Sequence, residues 1–160
     1  MSDAKKVADR LTEAVISEDI EAVTCCYSPD AVLVAPEGTY KGREQIAEFF
    51  RAWFDPFTAV SVETQTKAAW GNQALDEWSL SATNSGTLTT PTGEMVPATG
   101  TRVTVRGADV CTVDGDVVVE HHVYYDQVEL LGQLGSLAES RCYPMCERRV
   151  SAPSRAGSST

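Results

Sequence analysis

Residues 100–135 read GTRVTVRGADVCTVDGDVVVEHHVYYDQVELLGQLG, and their pattern decides the fold class. Two runs of alternating apolar and polar residues, 101–113 and 117–125, flank the pair Asp114-Gly115. This pair predicts a tight hairpin, because the two-residue turn that joins antiparallel strands requires positive φ. The stretch therefore predicts two long antiparallel strands.

A short helix is predicted directly after this hairpin. Asp126 is followed three residues later by Glu129, which is the spacing of a capping box, and Gly135 stands where a helix ends. The apolar residues between them share one helical face: Val128, Leu130, Leu131 and Leu134.

The chain before residue 100 changes from helical to strand patterns. Apolar spacing predicts helices over about 3–17, from Ile20 to Tyr27, and from Gly42 to the Asp55-Pro56 pair, with a brief strand from Ala31 to Ala35. Strands follow to about Ala69 and from Ala74 to Thr83, and residues 84–100 form an irregular connection. In the first of these strands one face is expected to carry Val60, Val62, Thr64 and Thr66.

Helices followed by long antiparallel strands indicate an α+β domain. The strands must curl around the helices to bury one face of the sheet, and such a sheet leaves a pocket between helices and sheet. A chain of 160 residues suits one domain. We expect this domain to span residues 1–138, and the Ser-, Pro-, Arg- and Gly-rich residues 139–160 to form a disordered polar tail.

Composition limits the partners of the protein. Acidic residues outnumber basic ones by 23 to 13, which gives a formal charge of −10. Nucleic acids and anionic membranes attract basic surfaces, so we expect neither as a partner. No signal peptide or membrane span is visible, and a cytoplasmic protein is expected. Five cysteines, an odd number, argue against a disulfide framework.

Residues 100–135 resemble the C-terminal half of SnoaL-like proteins, which belong to the nuclear transport factor 2-like superfamily. The shared pattern is a strand, an Asp-Gly turn, a strand that ends in two aromatic residues and an aspartate, and a helix that ends in Gln-Leu-Gly. Earlier segments agree: YSPDAV at 27–32, YKGREQI at 40–46, and Glu77-Trp78. The resemblance covers about residues 5–137. It implies a cone-shaped fold, with a curved antiparallel sheet on N-terminal helices around a central pocket, and a homodimer.

The resemblance leaves the activity open, because cyclases, isomerases, dehydratases, epoxide hydrolases and non-catalytic carriers share this scaffold. The aspartate that polyketide cyclases and limonene epoxide hydrolases carry on the final strand falls at Val123. The general base of ketosteroid isomerases falls at Ala35, and their first-helix tyrosine falls at Leu11. These apolar residues do not transfer protons, so the known chemistries do not carry over directly.

Three polar residues remain as catalytic candidates. Asp109 matches the protonated aspartate with which ketosteroid isomerases bind an oxyanion. His121 lies two residues before Val123, on the same strand face, and histidine titrates near neutral pH. Glu77 follows Asp76, and one of these two carboxylates should face the pocket, where it could pair with His121. The structural alternatives are a surface carboxylate for each acid and a packed, unreactive histidine.

A ligand pocket is expected to have aromatic and apolar walls, formed by Phe49, Trp53, Trp78, Val123 and Tyr125. The aromatic residues of the third helix also suit an ordinary core. No cofactor and no metal are expected, because the sequence contains no glycine-rich phosphate loop, serine nucleophile elbow or HExxH motif.

Three functions are compatible with these residues. The first is a cofactor-free cyclase or isomerase that acts on a polyketide-like or aromatic substrate by acid–base chemistry. The second is a non-catalytic module for small-molecule binding or dimerisation, which the missing catalytic aspartates favour. The third is an epoxide hydrolase, which needs a pair of carboxylates to activate water and finds no matching pair in this sequence. Catalysis requires at least two ionisable groups that converge in a water-poor cavity.

Overall fold

Four helices and eight strands make up the part of the chain that the computed structural model describes, residues 3–90 and 92–136. The helices are α1 (Ala4–Ile16), α2 (Ile20–Cys25), α3 (Gly42–Phe54) and α4 (Gln127–Gln133). The strands are β1 (Tyr27–Ala35), β2 (Gly38–Lys41), β3 (Phe57–Trp70), β4 (Gln73–Asn84), β5 (Leu88–Thr89), β6 (Met95–Val96), β7 (Arg102–Asp114) and β8 (Val117–Tyr125).

Six of the strands form one curved sheet, in the order β2-β1-β8-β7-β4-β3. All neighbours are antiparallel except β1 and β8, which pair in parallel. Helix α1 packs against β3, β4 and β7, and α3 packs against β1, so these helices cover the inner face of the sheet. The predicted α+β fold, with a curved sheet packed on N-terminal helices, is confirmed.

The hairpin and the final helix form for the reasons that their sequence indicates. Asp114 pairs with Val117, and Gly115 in the turn has a φ of +59°. The Asp126 side chain accepts hydrogen bonds from the backbone amides of Val128 and Glu129, which caps α4. Gly135 has a φ of +70° just after α4, a conformation that glycine adopts at little cost.

Two strands depart from the predicted pattern. β1 begins at Tyr27 rather than at Ala31. Tyr27 already pairs with Val118 of β8, and the register between these two strands shifts before Val32. A second irregularity in β3, between Thr64 and Thr66, changes the direction of the following side chains. Thr66 is therefore exposed and Lys67 is turned inward, so the prediction that Thr66 shares a face with Val60 is wrong.

The buried side chains form two clusters on the inner side of the sheet. The larger one joins α1, α2 and α3 to β1, β4, β7 and β8, and the smaller one joins Phe57 and β7 to Leu130 and Leu134. Cys26 and Cys111 are buried and Cys25 is exposed. Cys142, Cys146 and the whole expected tail, 139–160, lie outside the described residues. None of the helices in the described segments is long and apolar enough to cross a membrane.

Candidate active site

A cavity of about 100 Å³ lies between α1, α3 and the inner face of the sheet. Its walls are mainly apolar and aromatic, and all five residues expected to contact a ligand line it: Phe49, Trp53, Trp78, Val123 and Tyr125. Its polar lining includes two carboxyl groups, a thiol and an imidazole, from Asp76, Asp109, Cys111 and His121. The polar groups therefore meet inside a largely apolar enclosure.

Strand register brings these polar residues together. Asp109 on β7 is the direct cross-strand partner of Asp76 on β4 and of Val123 on β8. Cys111, two residues further along β7, is paired with His121. Side chains alternate along a strand, so residues two apart share a face, and direct partners on adjacent strands lie side by side. Asp109 and His121, which the sequence predicts as site residues, are neighbours in this arrangement.

His121 is held between Tyr27 and Asp109. The residue as a whole is 3% exposed, and the imidazole Nδ1 is hydrogen-bonded to the Tyr27 hydroxyl at 2.7 Å. Its Nε2 lies 3.4 Å from Asp109 Oδ2, without hydrogen-bond alignment, and has no other partner among the described residues. The same carboxylate oxygen accepts a hydrogen bond from the Trp78 indole nitrogen at 3.2 Å. These contacts join Tyr27, His121, Asp109 and Trp78 in a line, in which Asp109 lies between the imidazole and the indole.

The surroundings of His121 favour its charged form. Burial by itself lowers the pKa of His121, but the polar groups around the imidazole, among them the Asp109 carboxylate, outweigh burial and raise that pKa well above 6.5. Burial raises the pKa of Tyr27 above its ordinary value, so Tyr27 acts as a neutral hydrogen-bonding group. An imidazolium facing a carboxylate is a paired charge, which is how buried charges are tolerated.

Asp76 is the second carboxyl group of the cavity and is 5% exposed. Its Oδ2 lies 3.3 Å from Lys67 Nζ, and its buried Oδ1 has no hydrogen-bond partner in the described part of the chain. Burial raises the pKa of Asp76; Lys67 opposes this effect and Asp109 adds to it. Lys67 also forms an ion pair with Asp9 on α1. Asp76 is therefore more inclined to hold a proton than an ordinary aspartate.

Glu77 does not belong to the cavity. Its side chain is exposed on the outer face of β4 and accepts a hydrogen bond from the Thr66 hydroxyl at 2.8 Å. Asp76 faces inward instead, because it lies one residue earlier on the alternating strand. The sequence contains the signal for this choice: Trp78, an expected wall residue, shares its face with residue 76 and not with residue 77.

Gly107 allows Trp78 to reach Asp109. Gly107 is the cross-strand partner of Trp78, and a Cβ atom at this position would collide with the indole ring and lie 2.7 Å from the Tyr124 carbonyl oxygen. The missing side chain thus leaves the space that the indole fills. No local sequence pattern indicates this role for the glycine.

One group of side chains in the described segments could hold a metal ion. Asp109, Cys111 and His121 each place a donor atom within 4.8 Å of the others, and a carboxylate, a thiolate and an imidazole are ligands that zinc accepts. His122 takes no part, because it faces outward and is hydrogen-bonded to Glu120 at 2.6 Å.

The profile of the SnoaL-like domain family matches residues 8–121. Among curated proteins, none matches the chain. Many solved structures are similar to it. AclR from Streptomyces galilaeus, proposed to be a hydroxylase, has a TM-score of 0.73 and 21% identity, over 84% of this chain and 97% of AclR.

Two further structures have the same fold. IdmH from Streptomyces antibioticus, proposed to be a polyketide cyclase, has a TM-score of 0.69 and 25% identity, over 83% of this chain and 99% of IdmH. A protein from Jannaschia sp. CCS1, proposed to be a SnoaL-like polyketide cyclase, has a TM-score of 0.73 and 18% identity, over 84% of this chain and 92% of its own. With the family profile matched over most of its length, the chain belongs to the SnoaL-like domain family.

Proposed function

We propose that the protein is a cofactor-free enzyme that isomerises or cyclises a small polyketide-like or aromatic substrate by acid–base chemistry in the central cavity. The observation that carries this proposal is the convergence of Asp76, Asp109 and His121 within an apolar enclosure. An apolar cavity strengthens electrostatic interactions and suits an aromatic or polyketide ring, while the few polar groups orient the reacting atoms.

Asp109 is the residue that meets the substrate in this proposal. Its side chain is 21% exposed, whereas that of His121 is 4% exposed and lies behind it. The Asp109 carboxylate accepts a proton from a carbon next to a substrate carbonyl, which leaves an enolate. Asp76, in its protonated form, donates a hydrogen bond or a proton to the enolate oxygen. In a conjugated enolate, return of the proton from Asp109 to a different carbon completes an isomerisation. In a cyclisation, the enolate carbon attacks a second carbonyl, and the resulting alkoxide takes up the proton from Asp109.

His121 then has a supporting role. The imidazolium stabilises the ionised Asp109 from behind, and Tyr27 fixes the orientation of the ring. This assignment differs from the sequence-based hypothesis, in which His121 itself carries the proton and Asp109 binds the oxyanion. The lower exposure of His121 is the reason for the change.

Epoxide hydrolysis is the second candidate function. The sequence does not identify the pair of carboxylates that water activation requires, but the cross-strand partners Asp76 and Asp109 are such a pair. In that reaction Asp109 takes a proton from water, and Asp76 protonates the epoxide oxygen as the ring opens to a diol. The distinguishing result is a product that has gained one water oxygen.

Proton exchange tests the proposal across a range of candidate substrates. A panel of cyclic diketones and hydroxylated aromatic ketones is incubated with the full chain in D₂O, and loss of the proton signal next to the carbonyl is followed by NMR. The wild type should accelerate exchange of at least one compound. Asp109→Asn should lower that rate by about 100-fold or more, the scale of general acid–base catalysis.

Glu77→Gln is the matched control, since it makes the same acid-to-amide change on the outer face and should keep the wild-type rate. Chelator treatment should also leave the rate unchanged, and a loss would point to a metal at Asp109, Cys111 and His121. A ligand at about 100 times its Kd should raise the Tm by roughly 5–10 °C. Compounds that raise the Tm but undergo no catalysed exchange and no hydration would overturn the enzyme proposal in favour of the non-catalytic binding module.

A further inference from the structure

A second cavity, of about 260 Å³, lies next to the candidate active site. It is enclosed by α3, α4, the β1–β2 turn and the β5 segment. The two cavities share wall residues, among them Trp53 and Tyr125, whose rings pack edge to face with centroids 5.3 Å apart. This aromatic pair stands between the two cavities.

Glu37 supplies the carboxyl group of the second cavity. It lies in the turn between β1 and β2, and its Oε1 accepts a hydrogen bond from the Tyr125 hydroxyl. Its Oε2 is buried and has no hydrogen-bond partner among the described residues. Burial raises the pKa of the Glu37 carboxyl group, and the nearby Gln127 side chain opposes this effect. A carboxylate oxygen only accepts hydrogen bonds, so a donor from a ligand would satisfy it.

The rest of the second cavity favours a positively charged donor. Its walls include the rings of Tyr40, Phe49, Trp53, Phe57 and Tyr125, and ring faces attract cations. No lysine or arginine is found among its described lining residues, so no cation of the protein neutralises Glu37 there. The formal charge of −10 also draws small cations toward the molecule.

We propose that the second cavity binds the ammonium group of a small organic amine, with Glu37 as its charge partner and Tyr40, Trp53 and Tyr125 as its aromatic wall. A neutral alcohol would satisfy Glu37 Oε2, but it would gain neither the ion pair nor the attraction to the rings. The inference does not depend on the proposed function, because binding is measured whether or not the neighbouring cavity catalyses a reaction.

Benzylamine and benzyl alcohol form the test pair, since they differ in the charged group and share the ring. Binding to the full-length protein is measured by isothermal titration calorimetry near neutral pH. Wild-type protein should bind benzylamine at least ten-fold more tightly than benzyl alcohol. Glu37→Gln, which keeps the size of the side chain and removes its charge, should weaken benzylamine about ten-fold or more and leave benzyl alcohol nearly unchanged.

Two control variants locate the amine. Glu63→Gln removes an exposed carboxylate from β3 and should keep wild-type affinity. Asp109→Asn tests whether the amine binds in the first cavity instead. If Asp109→Asn loses affinity for benzylamine while Glu37→Gln keeps the wild-type affinity, the proposal is overturned. Equal affinity of the wild type for amine and alcohol, or no amine binding, also overturns it, and this comparison needs no variant. Unchanged Tm values would show that the variants remain folded.

Discussion

Tyr27 and His121 depend on each other for a hydrogen bond inside the domain. Tyr27 is fully buried, and its hydroxyl lies 2.7 Å from His121 Nδ1. Tyr27→Phe removes the hydroxyl and leaves a buried imidazole nitrogen without its partner. We expect the free energy of unfolding to fall by about 1–3 kcal/mol, the usual cost of an unsatisfied buried polar group.

Urea denaturation measures this change, and Tyr124→Phe is the control. Tyr124 is 59% exposed on the outer face, and its hydroxyl lies 3.4 Å from His122 Nδ1, so the same chemical change should have little effect there. Equal losses for the two variants would contradict the buried hydrogen bond. In the exchange assay, Tyr27→Phe should lower the rate less than Asp109→Asn, since Tyr27 acts through His121.

Asp76 predicts a pH dependence of stability. Burial raises the pKa of Asp76 above 3.8, with Lys67 from β3 opposing and Asp109 from β7 and Asp9 from α1 adding to the effect. Between pH 3.8 and the raised pKa, the folded protein holds a proton that the unfolded chain has released. The contribution of Asp76 to the free energy of unfolding is therefore fully present below pH 3.8 and is lost as the pH rises through the raised pKa.

Asp76→Asn removes this contribution. As the pH rises through the raised pKa, the free energy of unfolding of the wild type should therefore fall relative to that of the variant. Urea unfolding at a series of pH values measures the difference. Asp30→Asn, at an exposed position of β1, provides the control and should run parallel to the wild type. Parallel curves for Asp76→Asn as well would contradict the raised pKa.

At the scale of elements, helix α4 depends on its cap. α4 has seven residues, too few to be stable alone, and the Asp126 side chain accepts two of its free backbone N–H groups. Its residue Leu130 and the following Leu134 are buried in the smaller hydrophobic cluster. Asp126→Ala should therefore lower the free energy of unfolding by about 1 kcal/mol.

Thermal or urea unfolding measures the effect, and Asp126→Asn should remain close to the wild type because asparagine is an equally good cap. A similar loss in both variants would show that the charge, and not the cap, is what matters. Helix α4 also borders the second cavity. Loss of the cap should therefore weaken amine binding in the second cavity more than ligand binding in the first.

The element that departs most from its sequence pattern is β3. Strict alternation places the side chains of residues 60, 62, 64 and 66 on one face. The irregularity between Thr64 and Thr66 moves the Thr66 side chain to the opposite face. One extra residue in a strand has no reliable local signature, since any residue can occupy it. Its consequence is large: Lys67, in place of Thr66, reaches Asp9 and Asp76 at the edge of the cavity.

At the scale of the whole molecule, we expect a homodimer formed through the open outer face of the sheet. Tyr124 lies on this face and is 59% exposed, so its ring is available to pack against a partner, and tyrosine is enriched in protein interfaces. Sedimentation equilibrium should give about twice the 17.3 kDa mass of the chain. Tyr124→Asp should shift the protein toward the monomer. Met95→Asp, at an apolar residue that is 70% exposed outside the six-stranded sheet, should not. A wild-type mass of one chain would contradict the expectation.

The sequence by itself determined the fold class and the position of most elements. The limits of β8 and the cap of α4 were predicted correctly, because the turn at Gly115 and the Asp126 cap act over a few neighbouring residues; the turn itself lies one residue later than predicted, at Gly115 and Asp116. The pairing of His121 with Asp109 was not predicted. This contact depends on the irregularity in the register between Thr112 and Val113, which shifts the pairing of β7 with β8 by one residue and which no local pattern indicates.

Only the tertiary structure decided which polar groups share a cavity. Asp76 lies beside Asp109 in the cavity because β4 and β7 pair in the register that makes these two residues direct partners. Tyr27 and Glu37 become partners of the distant residues His121 and Tyr125 only when the sheet is assembled. Turns and caps are local interactions, so a sequence records them directly. A site built from side chains on separate strands is a product of long-range packing.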